Sequence, residues 1–145
     1  MGKKKLILNV EEFSNNEIIV KGLVSLVPEY KLVASVNKFF VNKFFENDLL
    51  HHEKNYEFFH AHTQHELLFP VYANESKKIW LISNRTHEFF LFPELKPFNA
   101  ILLIFGSVSE DWLNELKHVS YISLMQDIPS NLVEKIVSFV DKLKK

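Results

Sequence analysis

Two unbroken apolar runs constrain this chain more than any other feature. Ile79-Trp80-Leu81-Ile82 and Ala100-Ile101-Leu102-Leu103-Ile104-Phe105 stand about one loop apart within residues 79–106. A strand with one wet face alternates apolar and polar residues, whereas a strand covered on both faces has no reason to alternate. The runs therefore read as central strands of one sheet, lying side by side in the interior. Between them fall a polar corner, Ser83-Asn84-Arg85-Thr86, and a proline-bracketed segment, Pro93-Glu94-Leu95-Lys96-Pro97, both expected at the rim of that sheet.

The remaining elements follow from periodicity and breakers. Residues 5–10 alternate and suit a strand, residues 11–16 are turn-like, and Ile18-Ile19-Val20 resumes a strand that Gly22 ends or bulges. Pro28 suits a helix start, and Val33, Val36, Phe40 and Phe44 recur at helical spacing, predicting a helix over residues 28–41. Asn37-Lys38-Phe39-Phe40 is echoed by Asn42-Lys43-Phe44-Phe45. A five-residue step turns a helix by about 140°, so either the helix ends between the pairs or its apolar face is wide. Residues 46–66 fit neither template, and a loop with a strand near residues 56–62 is expected.

Residues 67–73 read as a strand that Pro70 moves towards the sheet edge, followed by a hairpin turn at Asn74-Glu75-Ser76. With residues 78–83, 89–92 and 100–105 it would form an antiparallel meander, because the connections are short. Ser107 and Glu110 have capping-box spacing ahead of Trp112, Leu113 and Leu116. Residues 121–125 return as a strand, and Pro129 opens a last helix whose Leu132, Val133, Ile136, Val140 and Leu143 share one side. The expected fold is α+β: one domain, a mainly antiparallel sheet with helices packed on it.

Composition narrows the function classes. At 145 residues the chain suits one domain with a real core. It has no cysteine, so thiolate metal sites and disulfides are excluded, and its three glycines include no phosphate-binding loop. No apolar run approaches the ~20 residues of a membrane span, and Leu6-Ile7-Leu8 is too short for a signal core. A cytoplasmic protein is the default expectation. A net charge of −1 argues against nucleic acid, whose binders show a basic field. Four Phe-Phe pairs exceed what one face of a strand can bury, which points to aromatic surface for a protein partner or for a homodimer.

Two constellations stand out. Asn84, Arg85, Glu94 and Lys96 lie in loops beside the central strands, where rigid elements aim side chains at a ligand, and an Arg–Glu pair can read a carboxylate or a peptide end. The plainer alternative is that Asn84 completes a turn and that Glu94 caps its loop or pairs with Arg85. The second constellation is His51, His52, His60, His62 and His65. On a strand His60 and His62 share a face, and with His65 or Glu66 they would offer a zinc site with an open position. His65-Glu66-Leu67-Leu68-Phe69 begins like a zincin motif, but Phe69 stands in the place of the second histidine. No serine sits in a glycine elbow, so no catalytic residue is assigned and no cofactor is expected.

Residues 92–100, Phe-Pro-Glu-Leu-Lys-Pro-Phe-Asn-Ala, resemble the motif of the uncharacterised bacterial IPExxxVDY family. Pro93 and Glu94 match, Phe92 and Phe98 replace Ile and Val, and Asn99 and Ala100 stand where the family has Asp and Tyr. Leu81-Ile82-Ser83-Asn84-Arg85, Phe69 and Tyr72, and Tyr30-Lys31-Leu32 with Asn37-Lys38 are similar as well, and the likeness fades over the last helix. The resemblance implies the fold and supplies no mechanism. The expected function is a non-catalytic binding or protein-interaction module. The alternative is a histidine-dependent metal hydrolase.

Overall fold

The computed structural model describes residues 18–44, 51–60, 65–73, 77–86, 89–106 and 110–143. The expected strand at residues 5–10, the turns at 11–16 and 74–76, Ser107 of the capping box and His62 lie outside them, as does the side chain of Trp112. In chain order the elements are β1 (Ile18–Val24), α1 (Glu29–Phe44), β2 (His51–His60), β3 (His65–Ala73), β4 (Ile79–Ser83), β5 (Arg85–Thr86), β6 (Phe89–Phe90), a 3-10 turn (Pro93–Leu95), β7 (Ala100–Phe105), α2 (Glu110–Leu116), β8 (Leu124–Asp127) and α3 (Ser130–Leu143). Among the described residues, six strands form one sheet in the order β2-β3-β4-β7-β1-β8. Every neighbouring pair in it is antiparallel. The fold is α+β.

The two apolar runs are neighbours at the centre. Trp80 lies opposite Leu103 and Leu81 opposite Leu102, and all four are essentially sealed from water. Their side chains alternate between two cores. Trp80, Ile82, Ile101 and Leu103 meet Val20, Ile136 and Val140 on the side covered by α3. Leu81, Ala100, Leu102 and Ile104 meet Leu32, Val33, Val36 and Leu116 on the side covered by α1 and α2. Continuous apolarity thus reflects helices on both faces, as expected for strands with no wet side.

Several boundaries differ from the sequence reading, each for a local reason. Pro70 does not sit on an edge strand: β3 is flanked by β2 and β4. Its pairing with β4 begins only at Val71, opposite Ile82, so the missing proline N–H interrupts no ladder on that side. Residues 51–60 form a long strand pairing along the whole of β3, with an irregularity between His52 and Lys54. Helix α1 continues past residue 41 into the second Asn-Lys-Phe echo and ends at Phe44. The last strand starts at Leu124, because Tyr121 takes a positive φ of 77° and closes a turn instead. Residues 89–92 do not join a four-stranded meander. Phe89–Phe90 leave the main sheet and pair with Arg85–Thr86 in a small ribbon, so that β4 pairs directly with β7.

Gly22 neither ends nor bulges its strand. It lies mid-strand in β1, opposite Ile101 on one side and Gln126 on the other. A Cβ built there would meet the Phe98 ring at 2.5–2.6 Å. Glycine is needed because an aromatic ring lies flat on the backbone at that point. Gly22→Ala is expected to destabilise the protein by about 1–3 kcal/mol through overpacking, measured by urea denaturation. Combining it with Phe98→Leu should recover part of that loss, and simple additivity would disprove the contact as the cause.

Candidate functional site

Asn84 follows the last residue of β4 and is fully buried. Its backbone continues the strand: its N–H donates to the Asn99 carbonyl at 2.7 Å, and its carbonyl accepts from Leu91 N–H at 2.9 Å. The side chain reaches across to the proline-bracketed segment. Oδ1 accepts from Phe92 N–H at 2.7 Å, while Nδ2 donates to the carbonyls of Leu95 and Phe98 at 3.0 Å each. A primary amide is the one neutral side chain that offers an acceptor and a two-hydrogen donor at the same place. The structure therefore places Asn84 inside, holding backbone, and not at a surface where a ligand could reach it.

The segment it holds is a plug. Phe92, Leu95 and Phe98 are buried in the α3-side core, whereas Pro93, Glu94, Lys96 and Pro97 face out. Inward positions three apart match the three residues per turn of a 3-10 helix, a signal the sequence carried in Phe92, Leu95 and Phe98. Asn99 then ties the plug to β1. Its N–H donates to the Leu23 carbonyl at 2.9 Å, and its Oδ1 accepts from Ser25 N–H at 2.7 Å.

The four rim residues of the sequence reading are thereby separated. Glu94 does not pair with Arg85: its carboxylate accepts a hydrogen bond from Lys135 Nζ of α3 at 2.7 Å. That bond, reinforced by the Glu94 backbone N–H, holds the Glu94 carboxyl below the usual carboxylate range. Lys96 is exposed at the end of the 3-10 turn. Arg85 is exposed in β5, with its guanidinium 5.8 Å from the centre of the Phe90 ring in the facing strand.

Arg85 lines a cleft of about 290 Å³ with Ser25, Pro28, Glu29, Ser83 and Thr86. The cleft opens where β1 and β4, parallel to one another on either side of β7, both end, and where α1 begins. Two serines within it are buried: Ser83 Oγ donates to the Arg85 carbonyl at 3.1 Å, and Ser25 Oγ accepts from Val27 N–H at 3.4 Å. On the same face Tyr72 is half-buried against α1. Burial, with the Glu29 carboxylate second, pushes its phenol up from the ordinary value, so the ring stays neutral around pH 7. A second hollow, of about 600 Å³, lies on the opposite face between Leu91–Phe92 and α3.

The histidines give less. His60 and His65 are cross-strand partners at the end of the β2–β3 hairpin. Among the described residues, no group of three His, Cys, Asp or Glu is placed to hold a metal ion. Also among the described residues, no helix is long and apolar enough to cross a membrane. Compared with family models, curated proteins and solved structures, the chain matches none.

Two outcomes test this geometry. Asn84→Ala leaves Phe92 N–H and two buried carbonyls without partners and should cost about 2–4 kcal/mol in urea denaturation; a loss under about 0.5 kcal/mol would remove Asn84 from the centre of the plug. Because the folded Glu94 carboxyl titrates low, its bond to Lys135 is present above the ordinary carboxylate pKa and is lost as pH falls through the lowered one. NMR titration of Lys135→Met should show Glu94 moving up towards its ordinary value.

Proposed function

We propose that this chain is a non-catalytic recognition module that takes a carboxylate-bearing end or side chain of a protein partner at the Arg85 cleft. The observation that carries the reading is the placement of Arg85 at the cleft beside the Phe90 ring. A stacked guanidinium is steadied by its face, and a carboxylate is read by its N–H edge. The volume sits at the lower limit of small-molecule pockets, which suits one side chain or a chain end better than a cofactor. Leu26 and Tyr30, 89% and 62% exposed, flank the lining residues in sequence and supply the apolar contact that accompanies a charged anchor in protein interfaces. The proposed setting is the cytoplasm.

The test starts from a partner captured by cross-linking to the full-length chain. Arg85→Ala should weaken its binding at least about tenfold, with an unchanged urea midpoint, and Arg85→Lys should restore little because the planar fork is lost. Glu94→Ala, on the other face, should leave binding intact. If the partner is a second copy, sedimentation velocity will show a dimer that Arg85→Ala dissociates. Full binding by Arg85→Ala sinks the assignment.

A further inference from the structure

The hollow on the α3 face has an apolar floor, Leu91, Phe92, Phe139 and Leu143, with Lys135 and Lys142 along one wall. Phe92 and Phe139 meet edge to face at 5.5 Å, giving the floor a fixed shape. The two lysines are seven residues apart on one helix, two turns or about 10.5 Å along the axis. Glu134 and Asp141, one residue before each lysine, are not among the lining residues.

Lys135 already shows what such a cation takes at this site: the Glu94 carboxylate sits on it at 2.7 Å. Both side chains of that pair are about half exposed, so water screens it and another carboxylate can replace Glu94 at little loss. Lys142, two turns further on, pairs with no carboxylate among the described residues. We propose that this groove docks an amphipathic helical segment of a partner protein, with its apolar face on the floor and two carboxylates, two turns apart, on Lys135 and Lys142. Glu94 holds the place of one of those carboxylates until the segment arrives. A fatty acid has one head group and can satisfy one lysine only, whereas a helix repeats its contacts at i, i+3, i+4 and i+7 and matches the spacing of both.

The probe is a fluorescein-labelled synthetic helix with a Leu/Phe stripe flanked by glutamates at i and i+7, titrated into the full-length chain and followed by anisotropy. Tight, salt-weakened binding is expected, reduced at least about tenfold by Lys142→Glu, as for loss of one charge contact, and strengthened by Glu94→Gln, which removes the internal competitor. Unchanged stability of both variants in urea separates docking from folding. Arg85→Ala should leave this binding unaltered, so failure here is distinct from failure at the other cleft. Equal affinity for the glutamine version of the peptide, indifference to Lys142→Glu, or preferential binding of a long-chain fatty acid would each overturn the proposal.

Discussion

The structure rests on the antiparallel contact between β4 and β7, in which Trp80 faces Leu103 with helices on both sides. Such a pair has an unusual weakness. In a half-exposed sheet a one-residue slip moves apolar side chains into water, and this fixes the register. Here a slip exchanges one apolar core for another. What pins these strands must therefore lie in shape and at their ends. Trp80 needs the largest space in one core, and its indole N–H reaches the Lys77 carbonyl at 2.8 Å. At the other end, Ser83 faces Ala100, and Asn84 continues the ladder by donating to Asn99.

Asn84 accordingly has two effects. It locks the end of the central pair, and it fastens the 92–98 plug over the α3 side of the sheet. The residues next to it in sequence open on the opposite side. Ser83 and Arg85 border the cleft at the start of α1, while Phe92 of the plug forms part of the floor of the groove beside α3. One buried amide thus partitions a short polar stretch between two faces. That is why four residues close together in sequence do not make one site.

Much of this was legible in the chain. The two apolar runs, the last helix with its Leu132, Val133, Ile136 and Val140 stripe, and the α+β class follow from periodicity, because each is set by burial. The ribbon of β5 and β6 was not, since Phe89–Phe90 carry a strand propensity that says nothing about which strand they join. Gly22 looked like punctuation because no local signal announces a phenylalanine ring arriving from 76 residues away. The polar corner was read as an outer rim, but Ser83 and Asn84 are buried and only Arg85 is exposed there. An asparagine in a turn and an asparagine buried to hold three backbone groups have the same sequence signature. The pairing of Glu94 with Lys135 joins loop to helix across the fold, and only the three-dimensional arrangement supplies it.

The all-apolar strand β7 has a consequence for how the chain reaches this state. Both of its partners precede it in sequence: β4 immediately upstream and β1 at the start of the described residues. Until both have arrived, Ala-Ile-Leu-Leu-Ile-Phe is an uncharged, proline-free hexapeptide with at least one open edge, the composition that stacks into cross-β assemblies. Both partners are synthesised before β7, but α3, which covers its Ile101 and Leu103 side, follows it. Until α3 is made, protection of that face must come from speed, from dilution or from a chaperone.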